Sequence, residues 1–516
     1  MIRLEKSLAD LLPAPYIASV VEASCALSGM SCAEAFDLAH RKVSFYPPAY
    51  EARLKSLLNL TGQVVTSRVQ TTLAGAATDS FRRAANLDAS PLSTFGWFRI
   101  GEDGRLYLTT KSEHYHTPLG HTFPGYQLIE NARRLGIPSA THNNTRGTIT
   151  RYLEQEIIRA VNGLDRRDTE GLNAVLQSTE PHVLNRIINL ETGSLACEAA
   201  MKMMLARFHP PDNRQQEAPY RGRVPVYLVV GDNAGGPTAN YHGTTVFAQC
   251  LRGMWPTFRE AAERDGLFRI VPVAINDPLD FAAKMERYNQ APYKTAGFLH
   301  EIILMNYGGI KLRRDYLQQA YDLCRQHDTP VLCDEIQSCL WYPGLFLFRQ
   351  YGLRPDFLSV GKGFSGGTYP ASRLVMTAEM DCLSQFGALV TNGQEELASL
   401  AYLITMEMVD ANEGPIQHVG SYYERTMRAL AAKYPALIEN IEGMQLLLTI
   451  GFKDVEAAAE FCRMMVAGGF DISAHTYKPS CPPAAITKLP VTADTSYVDF
   501  FASKAEAALL RLQEKR

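Results

Sequence analysis

Up to about residue 94, apolar positions recur at the spacing of amphipathic helices, as in Ile17-Ala-Ser-Val-Val-Glu-Ala and Ala52-Arg-Leu-Lys-Ser-Leu-Leu. Pro47 and Pro48 break that run. From Phe95 the texture changes to FGWFRIGEDGRLYL, two short extended runs around Glu102-Asp-Gly104, which predicts a β-hairpin with its turn glycine supplied.

The middle of the chain alternates short β-rich runs with helical ones. Strands are expected at Arg186–Leu190, Val226–Val230, Ile270–Ile275, Gly297–Ile302, Val331–Cys333 and Phe357–Val360. Between the fourth and fifth lies Arg313–His327, a helix with Tyr316, Leu317, Ala320, Tyr321 and Cys324 on one face. Strands alternating with amphipathic helices point to an α/β fold with a mostly parallel central sheet and helical crossovers. Beyond about residue 396 come an apolar helix (Leu397–Val409), a strand at Met444–Ile450, a helix near Val455–Met465 and a closing helix from Val498, a smaller α+β unit.

Composition narrows the function. With 51 basic and 54 acidic residues the net charge is −3, no field for a nucleic-acid backbone or an anionic membrane, so a small molecule is the expected partner. Ten scattered cysteines with no Cys-x-x-Cys predict core thiols rather than zinc or disulfide chemistry. The absence of a long apolar run leads to the expectation of a cytoplasmic protein.

In open α/β sheets ligands gather beyond the carboxyl ends of the strands. Three such places carry candidate chemistry. At Leu190-Glu-Thr-Gly-Ser194 a strand turns through glycine into the helix Leu195–Phe208, where Gly193 and Ser194 would offer free backbone N–H groups to a phosphate, or simply form a turn. At Thr329-Pro-Val-Leu-Cys-Asp-Glu-Ile-Gln337 an apolar run stops on acids; Asp334 suits a partner for a pyridinium nitrogen, a helix cap or a magnesium ligand. At Pro355-Asp-Phe-Leu-Ser-Val-Gly-Lys362-Gly-Phe-Ser-Gly-Gly, Lys362 is a candidate Schiff-base lysine or a surface turn residue. Gly361-x-Gly363-x-x-Gly366 imitates a dinucleotide fingerprint but sits late, lacks a clear following helix and places a lysine where pyrophosphate must pass.

Taken in order, Thr-Gly-Ser before a helix, Tyr241-His-Gly243, the acidic strand end Glu301, Asp334-Glu-Ile-Gln337 and Gly361-Lys-Gly363 resemble the class III, ornithine/GABA-type aminotransferases. The likeness begins near Trp97, includes Leu119-Gly-His-Thr-Phe-Pro124 and runs to the C-terminal helix. It implies the fold type I architecture of pyridoxal-5′-phosphate (PLP) transferases. The expected division is an N-terminal helical extension over 1–94, the first part of a small domain over 95–150, a large PLP-binding domain over 151–395 and the rest of the small domain over 396–516.

The same resemblance implies residue roles. Lys362 holds PLP as a Schiff base and shuttles the substrate proton, Asp334 pairs with the ring nitrogen and Gln337 approaches the ring hydroxyl. Tyr241 stacks on the ring with His242 beside it, Gly193 and Ser194 take the phosphate, and Thr391 reaches the phosphate from the neighbouring subunit of a homodimer. The implied reaction transfers an amino group from an amine or amino acid to an oxo acid, and the scaffold also hosts racemases, aminomutases and lyases.

Departures from the family pattern bear on substrate. Ser338-Cys-Leu-Trp-Tyr-Pro-Gly344 replaces a glycine-rich turn, so Trp341 and Tyr342 are expected in a bulkier pocket wall, with Glu301, followed by Ile302 instead of proline, as a further substrate contact. The loop from Gly231 to Asn240 is long. No arginine precedes Pro482-Pro483 to clamp an α-carboxylate; Lys478 is the nearest cation there, and Arg146 and Arg373 are other basic candidates.

Overall fold

The structure, a computed structural model, describes residues 1–71, 73, 75–111, 117–139, 142–211, 218–231, 243–370, 372–390, 395–475 and 481–516. Its centre is a seven-stranded sheet of β1 (Leu184–Leu190), β2 (Val224–Val230), β3 (Arg269–Val273), β4 (Tyr293–His300), β5 (Val331–Asp334), β6 (Phe357–Gly361) and β7 (Ser372–Thr377). The strands lie in the order β1-β7-β6-β5-β4-β2-β3. Only β7 runs against its neighbours, pairing antiparallel with both β6 and β1. The run from Val226 to Val229 is buried throughout, as expected for parallel strands covered on both faces.

All six expected strands are present, with ends displaced by a few residues. Helix Arg314–Gln326 buries the five residues of its predicted stripe and turns its charges outward. The seventh strand, β7, escapes prediction because Arg373 interrupts its apolar run; the guanidinium is nevertheless buried, 4.9 Å over the ring of Tyr402. The expected strand Met444–Ile450 is in fact two, Ile438–Met444 and Leu447–Phe452, folded back at Gln445 with φ 54°. Leucines continue the apolar run on the far side of that turn and hide it.

A second, four-stranded antiparallel sheet orders Ile438–Met444, Leu447–Phe452, Ala484–Lys488 and Ser473–Ala474. The predicted hairpin forms as Phe98–Gly101 and Leu106–Leu108 around Gly104, whose φ of +79° suits glycine. The hairpin also reaches the C-terminal part through bridges from Leu108 to Phe470 and from Lys111 to Lys488.

The N-terminal residues form helices Ala14–Ser28, Cys32–His40 and Pro48–Leu58, the last opened by the proline pair that breaks the helical pattern. They do not stay helical to residue 94. Pro91–Phe95 is a strand paired with Phe98–Gly101. The extension is tied to the body: the Ile2 N–H donates to Asn412 Oδ1 at 2.5 Å, and Lys6 pairs with Glu407 at 2.7 Å.

Glu335 locks the turn after β5. It is fully buried, accepting from the backbone N–H of Phe348 (2.5 Å) and Leu347 (2.9 Å) and from Ser338 Oγ (3.0 Å). Burial pushes its carboxyl up to about 7 even against those donors. Glu335→Ala strands three buried donors and should cost about 3 kcal/mol, read as a lower urea midpoint with an unchanged slope.

Candidate functional site

Parallel register brings the acids together. Cys333 of β5 pairs with His300 of β4, so the next residue on each strand, Asp334 and Glu301, leaves the sheet beside the other. Asp334 also pairs with Ser359 of β6, whose Oγ donates to its Oδ1 at 2.8 Å. The N–H of Ile336 donates to the same oxygen at 3.0 Å, and Cys197 Sγ lies 3.3 Å from Oδ2. An acid only 6% exposed and held by three donors is aimed rather than free to rotate.

Glu301 differs from its neighbour. It is 5% exposed, and its Oε2 has no hydrogen-bond partner among the described residues. Burial above all, then the negative charge of Asp334, raises its carboxyl well above the ordinary range, while Lys362 and Lys488 pull it back. Two acids at adjacent strand ends thus meet different surroundings: donors hold Asp334, while burial disfavours the charged form of Glu301.

Lys362 follows the end of β6. Its φ of +50° is unusual for a side-chain-bearing residue and opens a short 3-10 turn, Lys362–Ser365, closed by Gly366 at φ +62°. A Cβ on Gly366 would stand 1.7 Å from Tyr126 Oη, and one on Gly363 would press on Pro118 and Trp341 at 3.1 and 3.2 Å. These glycines serve close packing of the lysine turn, and among the described residues a strand, Ser372–Thr377, follows them instead of the α-helix a dinucleotide fingerprint would need.

Across the cavity, helix Gly193–Ala206 starts where β1 ends. Thr192 caps it by accepting from the Leu195 N–H at 3.4 Å. Ser194 Oγ meets Thr244 Oγ1 and the Thr244 N–H at 3.1 and 3.2 Å. A Cβ on Gly193 would come within 2.8 Å of Ile336, so only glycine lets this helix start lie against the residue that follows Asp334-Glu335.

One cavity of about 580 Å³ joins these parts, lined by Gly193, Ser194, Glu301, Asp334, Gln337 and Lys362 among others. PLP needs a seat for a dianion, an acid for its ring nitrogen and an amine for its aldehyde. A helix N-terminus, an anchored carboxylate and a strand-end lysine on one cavity fit that group. Gly243 lines the same wall, whereas Tyr241, His242, Thr391 and Lys478 lie outside the described residues.

Other expected site residues stand elsewhere. Trp341 and Tyr342 are each 1% exposed and absent from the cavity lining. The Trp341 indole donates to the Leu489 carbonyl at 2.9 Å and Tyr342 Oη to the Met444 carbonyl at 3.2 Å, so both pack behind the cavity against the second sheet. Arg373 is spent on backbone carbonyls, Ser399 and Tyr402, and Arg146 pairs with Glu154. Arg252 and Tyr369, which line the cavity, went unnoticed in the sequence because neither belongs to a recognisable motif.

The fold is that of an ornithine aminotransferase from Plasmodium yoelii, matched at TM-score 0.62 with 16% identity over 90% of this chain and 99% of that one. A profile of the class-III aminotransferases matches residues 96–481, and the chain belongs to that family, whose members depend on PLP. The ornithine aminotransferase of Emericella nidulans is 29% identical over 42% of this chain and 49% of its own length. That of Bordetella pertussis is 29% identical over 75% of this chain and 84% of its own. The chain thus spans about half the length of the first of these relatives and most of the second.

Two outcomes follow from the geometry. A carboxyl whose folded-state pKa is raised contributes stability below its unfolded value and loses it as the pH climbs toward the folded one. Urea unfolding of the cofactor-free protein should therefore show wild type losing stability relative to Glu301→Gln as pH rises above the ordinary 4.5. Gly193→Ala should weaken PLP binding about tenfold in a spectrophotometric titration by displacing the helix start from Ile336.

Proposed function

We propose that this protein is a PLP-dependent aminotransferase that moves an amino group from an amine or amino acid to an oxo acid, with PLP held covalently on Lys362. The observation that carries the reading is the convergence of the Gly193–Ser194 helix start, Asp334 and Lys362 on one cavity. Family membership supports it.

When bound, PLP supplies an aldehyde carbon that takes up the amine and a ring that draws electrons from the adjacent carbon. The chain's residues then act as follows. The N–H groups of Gly193 and Ser194, at the positive end of their helix, hold the phosphate. Asp334 would keep a proton on the ring nitrogen, and the donors from Ser359, Ile336 and Cys197 hold its carboxyl group in place for that contact. Lys362 Nζ would be the group that moves a proton between the substrate carbon and C4′ of the cofactor. Gln337 would meet the ring hydroxyl and Tyr241 would stack on the ring, with His242 beside it. Glu301 contacts substrate from beside Asp334, and Trp341 and Tyr342 shape that wall from behind.

Residues 151–395 then form the cofactor-binding domain, and 95–150 with 396–516 the smaller one, preceded by an extension over 1–94. Thr391 completes the phosphate site of the partner in a homodimer. A cytoplasmic location is supported by ten cysteines that are all free, and no helix among the described residues is long and apolar enough to cross a membrane.

A second reading is a racemase, aminomutase or lyase on the same site: neither Arg146 nor Arg373 lines the cavity, which leaves Arg252 as the lining arginine that could meet an α-carboxylate. Titration with a panel of amines separates the two. Transamination converts the cofactor stoichiometrically to its pyridoxamine form when no oxo acid is present; turnover that leaves the aldehyde form intact supports the second reading. Purified protein should be yellow, and borohydride should fix the cofactor's mass on Lys362 in a peptide map. Lys362→Ala should lower turnover by at least about 10³-fold while the protein still binds PLP non-covalently. A colourless protein that gains no absorption with added PLP would overturn the proposal.

A further inference from the structure

Gln337 and Lys488, 151 residues apart, meet beside the cavity. Gln337 follows β5 and lines the cavity wall. Lys488 ends strand Ala484–Lys488 of the second sheet and is fully buried. Its Nζ donates to the Gln337 backbone carbonyl at 2.5 Å and reaches Gln337 Oε1 at 3.5 Å. The same ammonium lies 3.8 Å from the centre of the Trp341 ring. A buried ammonium is tolerated only where its N–H groups and charge are met, and here a carbonyl, an amide oxygen and an aromatic face meet them.

That arrangement favours one orientation of the Gln337 amide. An ammonium has donors and no acceptor, so the amide end nearest Lys488 must be Oε1. The amide NH2 is thereby turned away from Lys488, and among the described residues no protein acceptor meets it. The aromatic loop contributes as well. The Trp341 indole N–H binds the carbonyl of Leu489, next to Lys488, so the ring under the ammonium is held by the strand end that carries the lysine. The residue that departs from the family's glycine-rich turn is the seat of this cation.

We propose that Lys488 is a positioning residue: it orients the Gln337 amide so that Nε2 donates to the ring hydroxyl of PLP, favouring the ionised form of that hydroxyl. The inference rests on the placement of Gln337 beside the ring hydroxyl proposed above. A donor stabilises an oxyanion, whereas the reversed amide would present an acceptor and favour the neutral hydroxyl.

The test compares wild type, Lys488→Met, Lys488→Arg and Gln337→Glu, each loaded with PLP. The readout is the ratio of the long-wavelength band of the ionised hydroxyl to the short-wavelength band of the neutral one at fixed pH. Lys488→Met, which fills the space without a donor, should lower the ratio about tenfold, and Lys488→Arg, which keeps donors and charge, should restore it to within about twofold of wild type. Gln337→Glu, which offers only acceptors, should fall like Lys488→Met. An altered Gln337→Glu spectrum with an unchanged, folded Lys488→Met overturns the role of Lys488 alone. An unchanged Gln337→Glu spectrum overturns the placement of Gln337 beneath it. If Lys488→Met does not fold, neutron diffraction from loaded wild-type crystals decides: deuterons on the amide atom facing the ring oxygen are expected, and a bare Oε1 there overturns the proposal.

Discussion

The carboxylate of Asp334 is the constraint around which the rest of the site is built. A charge at the end of a buried strand is tolerated only where donors converge on it, and each donor comes from a different element: Ser359 from β6, the Ile336 N–H from the turn and Cys197 from the helix that follows β1. Supplying all three requires the β5–β6 register and the close seating of that helix. Gly193 permits the seating, since any side chain there would strike Ile336. The residues that hold this acid therefore also bring the helix start to the same cavity.

Charge around that acid is layered. Glu301, one strand over, is disfavoured as a charge first by its burial and then by the negative charge of Asp334. Glu335, the next residue in the chain, points the other way and satisfies the backbone of the segment at Leu347 and Phe348. Lys488 reaches in from the second sheet and rests on Trp341. Three acids and two lysines share a small volume with distinct functions because strand alternation and register send each toward different partners.

Much of this was legible in the chain. Six strands and the stripe of helix Arg314–Gln326 follow from hydrophobic periodicity, which is local and strong where parallel strands are buried on both faces. Asp334, Lys362, Gly193 and Ser194 were legible because they sit where apolar runs stop. β7 was not, since a buried arginine reads as a surface residue until Tyr402 is seen beneath it. Trp341 and Tyr342 read as pocket wall, yet their polar tips are claimed by carbonyls of the second sheet and they pack behind the cavity.

The sequence by itself determined the α/β class, the strand ends that bear chemistry and the family to which their order belongs, because those signals are carried by neighbouring residues and their spacing. Only the tertiary structure decided which distant groups meet. That Glu301 stands beside Asp334 depends on sheet register, and that Lys488 holds the Gln337 amide depends on how the second sheet packs against the turn after β5. Such pairings arise from packing between segments remote in the chain, and no local pattern encodes them.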